Sequence, residues 1–382
     1  ATPRPRTSGR GFAAVAVSAA VGGAVCGAVA VAAFTWWVPP GRLLRRVALA
    51  FRPLKGRGGH SDSEILRRIA PPLDFSLHKG QGGRIGVVGG SGDYTGAPYY
   101  AAMAALKSGS ELAYVFTSVE AQLPIKSYSP ELMVTPIFDG RQTSSDEKWA
   151  GEILKKMEEK LKRLHALVVG PGLGRNKTLV PLFDRILEVA TAKNIVTVID
   201  ADGLWMLTQS LRLPEHRKGK IVLTPNVVEF QRLWEAFLGT EKLSDDPLED
   251  TRRLSAKLGV IIAQKGKRDI ISDGEDVVCC DERGAPRRPG GLGDVLSGVI
   301  STFVAWESIA QNRPASDNND DEYKHDTKLL LNAVKCACTV VRRGWAWTFE
   351  KYQRASGAPD LLNELGRVMH NMELGGRVKH FD

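Results

Sequence analysis

The chain has 382 residues, a formal net charge of +9, 43% hydrophobic and 25% charged residues. Those proportions exclude global disorder, and five cysteines in so long a chain exclude a disulfide framework. The excess charge is confined to residues 1–57, where Arg4, Arg6, Arg10, Arg42, Arg45, Arg46, Arg52, Lys55 and Arg57 stand with no acidic residue. The remainder is formally neutral, so its charge asks for no nucleic-acid partner.

In chain order, Phe12 to Val38 is an uncharged run rich in Ala, Val and Gly with Trp36 and Trp37 near its end. It is long enough to cross a bilayer of roughly 30 Å. Three readings stand side by side: a retained membrane anchor touching lipid through residues 12–38, a long signal-peptide core, or a cleaved segment addressed to an organelle such as a mitochondrion or plastid. Arg52 to Ser61 (RPLKGRGGHS) reads as a flexible junction. Residues 1–60 are therefore expected to form a targeting or anchoring segment with its linker, and residues 61–372 a soluble folded domain. Cys279 and Cys280 are adjacent, and Cys336 and Cys338 form a CxC pair. Without a CxxC, a reducing compartment is the simplest reading.

From residue 62 on, short apolar runs alternate with helical patterns. Asp62 to Ile69 carries a cap and helical spacing, stopped by Pro71-Pro72. Arg84 to Val88 predicts a buried strand, followed by the turn Gly89 to Gly96 and a helix over Pro98 to Lys107. Strands are predicted over Leu112–Phe116, Leu132–Phe138, Ala166–Val169, Ile195–Ile199, Ile221–Leu223 and Val260–Gln264, and helices over Lys148–Leu164 and Leu179–Ala190. Asp269 to Ile271 and Val277 to Cys280 predict an edge hairpin about Ser272-Asp273-Gly274. An apolar helix is predicted over Asp294 to Trp306, an exposed acidic loop over Asn312 to Asp326, and a last helix over Leu329 to Tyr352. Strand, polar or glycine-rich loop, then helix is the pattern of a doubly wound, largely parallel α/β sheet. Ligands collect at the carboxyl ends of such strands, where these loops fall.

Arg288 to Gly298 (RPGGLGDVLSG) is the most specific element. Gly290, Gly291 and Gly293 leave the backbone open just before a helix, so free N–H groups and the helix dipole form an anion pocket. Two readings of Asp294 compete: a plain N-cap, or a base that takes a proton from a hydroxyl beside a transferred phosphoryl group. Lys265 to Asp269 reads as a phosphate-contacting turn or as a polar hairpin entry. Asn226 with Glu229 reads as a Mg²⁺-supporting pair or as a helix cap with its first-turn glutamate. Asp200 and Asp202 end a strand, where they join the same site or cap. The loops Gly89–Gly96 and Gly170–Gly174 match neither GxGxxG nor a P-loop.

The segments KGQGGRIGVVGGSGDYTGAPYYAAMAALKSG, KSYSPELMV, LVVGPGLGRN, VIDADGLW, LTPNVVEFQRL, QKGKRDIIS and RRPGGLGDVLSG occur in that order. Together, from about Leu66 to Gly366, the chain resembles the ATP-dependent NAD(P)H-hydrate dehydratase family. The resemblance implies a ribokinase-like three-layer α/β/α fold with a mostly parallel central sheet. It implies ATP-driven phosphorylation of the ring hydroxyl of S-hydrated NADH or NADPH, then loss of phosphate to restore the nicotinamide. Asp294 would be the base, with the amides around Gly291 and Gly293 holding the phosphoryl charge. Lys265, Gly266, Lys267, Arg268 and Asp269 would bind ATP, together with Gly284, Ala285, Pro286, Arg287, Arg288, Pro289, Gly290, Gly291, Leu292 and Gly293. Gly172, Asn226, Val227, Val228, Glu229, Phe230, Gln231, Arg232 and Asp294 would contact the hydrated dinucleotide. Glu131 would also face it, and Glu229 would help hold Mg²⁺ on the phosphates. One departure is Leu292, where the family's loop carries a polar residue, often Gln.

Three rivals remain at this level. A vitamin-precursor kinase of the same fold would stop at the phosphate ester. A Rossmann-type NAD-dependent oxidoreductase would use Gly89–Gly96 with an acid at the end of the next strand, for which Glu120, past Ser118, is a poor candidate. A membrane-tethered dinucleotide-binding protein would need no catalytic Asp294.

Overall fold

In the computed structural model, residues 61–75, 77–141, 143, 146–312 and 328–375 are described. The apolar run 12–38, with the rest of residues 1–60, lies outside them. So do residues 313–327, which hold nearly all of the predicted acidic loop. The described residues belong to one unit, His60–Asp382.

Nine strands form one sheet in the order β3-β2-β1-β4-β5-β6-β7-β8-β9. They are β1 (Arg84–Val88), β2 (Leu112–Ser118), β3 (Met133–Phe138), β4 (Ala166–Val169), β5 (Val196–Ile199), β6 (Ile221–Leu223), β7 (Ile261–Gln264), β8 (Asp269–Ser272) and β9 (Val277–Cys280). All neighbours from β3 to β7 are parallel, and the β8–β9 hairpin closes the edge antiparallel, as its turn residues predict. The central strands are apolar throughout because helices cover both faces. Alternate side chains feed two cores. Ile85, Val87, Ala113, Val115, Ala166, Val168, Val196 and Val198 pack into one. Val88, Phe116, Leu167, Val169, Ile199 and Leu223 pack into the other.

The helices are α1 (Asp62–Ile69), α2 (Gly96–Lys107), α3 (Gln122–Tyr128), α4 (Glu147–Leu161), α5 (Val180–Ala192), α6 (Asp202–Ser210), α7 (Val227–Leu238), α8 (Pro247–Leu258), α9 (Leu292–Gln311), α10 (Leu329–Tyr352) and α11 (Ala358–Glu373). The first core is covered by α1, α2, α9, α10 and α11, the second by α4 to α8. Sequence periodicity leaves α3, α6, α7, α8 and α11 unassigned, α7 being anticipated only through the cap reading of Asn226 and Glu229. It also starts α9 two residues late and ends it five residues early. Helix α9 is long and apolar enough to span a membrane, but 72% of its most apolar window is buried, so it is the core helix of the fold.

Candidate active site

The glycine- and acid-rich loops do gather at the carboxyl ends of the strands. Between β1 and β4 the chain leaves the sheet in opposite directions, which opens a crevice there. Its walls are the loops Gly89–Gly96 and Gly170–Gly174, joined by the Gly90 N–H donating to the Pro171 carbonyl at 2.9 Å. Gly172 is buried under Tyr94. Tyr94 itself is 56% exposed at the mouth. Beside it, Thr95 and Tyr128 share a hydrogen bond of 2.6 Å between their hydroxyls, and the Tyr99 ring meets that of Tyr128 edge-on at 5.3 Å.

The next strand along, β5, ends in Asp200-Ala201-Asp202. Ala201 is held at φ +50°, a region that L-residues enter only when surroundings enforce it. The two aspartates then serve different neighbours. Asp202 accepts from the Gly174 N–H at 2.9 Å and ties the second glycine loop to β5. Asp200 is 1% exposed and accepts from the Thr224 hydroxyl and the Lys265 ammonium, each at 2.8 Å. Burial alone would push the Lys265 ammonium down; the Asp200, Glu229 and Asp294 carboxylates outweigh it and hold the lysine above its ordinary value. Lys265 is thus a charged group at the crossing of β5, β6 and β7.

Helix α9 arrives at this point through Gly291, its N-cap, at φ +92°. A Cβ there would come within 2.8 Å of Ala358 Cβ and 3.0 Å of the Tyr100 ring, so only glycine makes the turn. Since the cap position belongs to Gly291 and no side chain caps the helix, the N-cap reading of Asp294 is set aside. Asp294 is instead in the first turn, facing the cluster. Burial pushes its carboxyl up to about 7; repulsion from Asp200 and Asp202 adds to this and Lys265 offsets part. A carboxyl near neutrality has the proton affinity a general base needs. Gly293 sits directly over the cation: a Cβ on it would lie 3.5 Å from Lys265 Nζ and 3.9 Å from Asp200 Oδ2.

The remaining predicted residues divide. Asn226 and Glu229 form a capping box on α7: Asn226 Oδ1 accepts from the Val228 and Glu229 N–H groups, and Glu229 Oε2 from the Asn226 N–H at 2.8 Å. The cap reading is right for this pair, yet Glu229 also lines the site, 3.9 Å from Lys265 Nζ, with its carboxyl pushed up by burial against the pull of that lysine. Val227 and Val228 are exposed apolar side chains on the same turn, and Arg232 is exposed one turn later. Phe230 leaves the candidate surface: it is 2% exposed and packs on Trp234 in the second core. Gln231 points along α7 to Glu235 at 2.9 Å. Glu131 is exposed just before β3, at the strand's amino end, with its carboxylate 3.5 Å from the Ser129 hydroxyl. Such a position does not bring it to the cluster at the carboxyl ends.

On the nucleotide side, Gly266, Lys267 and Arg268 form the β7–β8 turn, with Lys267 and Arg268 exposed and Arg268 donating to Cys279 Sγ at 2.7 Å. Asp269 is corrected from a ligand contact to an internal anchor, 5% exposed and doubly bonded to Arg342 at 2.6 Å. Within the segment from Gly284 to Gly293, Ala285 and Leu292 pack on the first core, and Arg287 donates to the Ser356 carbonyl at 2.7 Å. Pro286, Arg288 and Gly290 are exposed, and Gly284 and Pro289 are half-buried. The unusual Leu292 therefore turns its side chain into the core and leaves the site to backbone. Glu120, the acid required by the oxidoreductase reading, instead accepts from the Gly140 N–H at 3.2 Å and pairs with Arg141 at 3.3 Å. Thr224, Tyr100 and Arg342 were not singled out from sequence; only Thr224, in the strand-end Thr-Pro-Asn, offered a positional signal.

An open glycine turn before a helix, a half-buried lysine and a near-neutral aspartate at one end of a largely parallel sheet form an arrangement suited to phosphoryl transfer. The fold is similar to a ribokinase-like superfamily protein of Enterococcus faecalis, with a TM-score of 0.62 at 22% identity over 84% of this chain and 99% of that one. It is also similar to the ADP/ATP-dependent NAD(P)H-hydrate dehydratase of Bacillus subtilis co-crystallised with ATP and Mg²⁺, with a TM-score of 0.57 at 21% identity over 82% of this chain and 98% of that one. In sequence, residues 85–346 match the family described as NAD(P)H-hydrate dehydratase. A human protein named ATP-dependent (S)-NAD(P)H-hydrate dehydratase is 43% identical over 356 residues, 92% of this chain and 96% of that one. The chain belongs to the NAD(P)H-hydrate dehydratase family.

Proposed function

We propose that this chain is an ATP-dependent (S)-NAD(P)H-hydrate dehydratase that returns hydrated NADH or NADPH to the reduced dinucleotide. The observation that carries the reading is Asp294, a carboxyl raised to about 7 beside the Lys265–Asp200 pair and the open Gly291 turn. The hydrated dinucleotide lies in the crevice between β1 and β4, along Gly172 and the exposed Val227 and Val228. ATP lies over Gly266 to Arg268 and the segment from Gly284 to Gly293. Asp294 takes the proton of the ring hydroxyl as its oxygen attacks the terminal phosphorus. Lys265 and the N–H groups about Gly293 hold the charge that develops on the transferred group. ADP is the leaving group of that transfer; the C–O bond of the new ester then breaks to release inorganic phosphate, a proton leaves the neighbouring ring carbon, and the nicotinamide double bond returns.

Among the described residues no group of three or more His, Cys, Asp or Glu side chains could hold a metal ion. Mg²⁺ characteristically keeps several waters and binds through phosphates with one or two carboxylates. Glu229 fits that pattern, because its capping bond occupies one oxygen and leaves the other for a metal-bound water. When bound, the ion supplies neutralisation of the phosphate charge.

Incubating the purified protein with hydrated NADH, ATP and Mg²⁺ should restore the reduced-nicotinamide absorbance with one ADP per NADH. ADP without NADH would make the chain a plain kinase. Oxidation of an alcohol with NAD and no ATP would make it a dehydrogenase.

We also propose that the basic, apolar leader in residues 1–60 addresses the enzyme to an organelle or membrane and takes no part in catalysis. Deleting residues 1–59 from a fluorescent fusion should disperse it through the cell while turnover persists; unchanged localisation would reject this role.

A further inference from the structure

Arg342, in the middle of α10, lies outside every glycine loop and every motif that carries the family resemblance. A guanidinium has five N–H donors in a rigid plane. In this structure all five have partners. Nε donates to Asp269 Oδ2 at 2.6 Å, and Nη2 donates to Asp269 Oδ1 at 2.6 Å and to the Gly266 carbonyl at 2.8 Å. Nη1 donates to the Lys267 carbonyl at 3.0 Å and to the Glu282 carbonyl at 3.4 Å. Asp269 also accepts from the Gly266 N–H at 3.1 Å, so the β7–β8 turn is closed on itself around the ion pair.

These partners belong to two separate chain segments: Gly266 and Lys267 are in the ATP-facing turn of the reading above, and Glu282 lies two residues before its second ATP-facing segment, Gly284 to Gly293. Gly266 and Lys267 directly follow Lys265, whose ammonium lies beneath Gly293. Glu282 begins the stretch that runs to Gly291. The neighbours of Arg342 on α10 grip only the second segment: Arg343 pairs with the Glu282 carboxylate at 2.8 Å, and Trp345 Nε1 donates to the Arg287 carbonyl at 2.9 Å.

We propose that Arg342 is the positioning residue of the nucleotide half of the site, coupling the 265–269 turn to the 282–291 segment so that both meet one ATP. The inference rests on the ATP-dependent reading of this chain. With every donor committed, Arg342 has none left for a ligand, so it acts through the two loops. Lysine would keep the charge but not the planar fork, because its three donors radiate from a single atom.

The test compares the full-length wild type with Arg342→Lys and Asp269→Asn, measuring KM for ATP, KM for hydrated NADH and kcat, with far-UV circular dichroism to verify folding. Arg342→Lys is expected to raise the ATP KM at least tenfold and leave the hydrate KM within about twofold. Asp269→Asn should move the ATP KM in the same direction, and the double variant should be little worse than Arg342→Lys alone, as for one shared device. An unchanged ATP KM in a folded Arg342→Lys protein overturns the inference, as does a parallel rise in both KM values. If Arg342→Lys does not fold, the Asp269→Asn result decides by the same criterion. A wild type that restores NADH without consuming ATP sinks the functional reading itself, a result distinct from either outcome in the variants.

Discussion

Replacing Asp294 by asparagine should make the protein more stable while disabling it, and the gain should depend on pH. The carboxyl titrates at about 7 in the fold against an ordinary 3.8, because burial disfavours its charge and Asp200 repels it. Between those two values the unfolded chain has released the proton and the folded chain still holds it. Stability therefore falls as pH rises, by about 1.4 kcal/mol for each pH unit, and levels off above about 7. The full fall is roughly 4 kcal/mol, an upper figure because water entering the cleft relieves part of it. Asparagine does not ionise and escapes this loss. Urea unfolding of both ligand-free proteins at pH 5 and pH 8 should show the variant's advantage growing by up to about 3 kcal/mol between the two. At the same time NADH recovery should drop by about two to four orders of magnitude, the usual contribution of a general base. An advantage of equal size at both pH values would refute the assignment of a near-neutral carboxyl to Asp294, and undiminished turnover would refute its role as base.

The electrostatic setting of Asp294 makes two opposite predictions. Asp200→Asn removes a repelling carboxylate, so the acid limb of the kcat/KM profile should move to lower pH. Lys265→Met removes the offsetting cation, so the same limb should move to higher pH, with turnover reduced in both variants. Shifts in the same direction would show that the limb belongs to another group. Gly298→Ala probes the scaffold beneath: the new Cβ would fall 2.1 Å from the Ala101 carbonyl oxygen, so α2 and α9 must separate. A loss of about 1–3 kcal/mol in urea unfolding is expected, and a variant as stable as wild type would refute the close helix contact.

How far the sequence could be read depended on where the determining contacts lie. Strands such as Ala166–Val169 were plain, because burial on both faces leaves an uninterrupted apolar run. Helix α8 (PLEDTRRLSAKL) was not, although Asp246 and Pro247 mark its start, because it buries only Leu254 and Leu258 among its large apolar side chains and half of the rest is charged. Helix α11 is legible in principle: Pro359 stands near its start, and its buried Leu361, Leu362, Leu365, Val368, Met369 and Met372 follow helical spacing. Phe230 belongs to a segment that the family resemblance assigns to the substrate as a whole, whereas a helix turns each successive residue by about a quarter circle and must send one of them into the core. Arg342 gave no sign at all, since a basic pair in a helix reads as a solvated face until the β7–β8 turn is seen beneath it.

The same distinction separates the identity of the base from its working state. The glycine turn at Gly290 to Gly293 suffices to nominate Asp294, because the turn and the acid are contiguous. Its local setting, however, argues for an ordinary ionised carboxylate, since the first turn of a helix stabilises negative charge. What reverses that is contributed from elsewhere: burial, then Asp200 at the end of β5, held by Thr224 of the next strand and by Lys265 after β7. Asp200 and Lys265 are 65 residues apart and meet only because β5, β6 and β7 lie side by side. The lysine that steadies Asp200 also limits how far Asp294 can rise, so in the proposed mechanism one ion pair would both supply cationic charge at the transfer point and keep the base near neutrality. Parallel strand order, rather than any motif, is what gives the aspartate its chemistry.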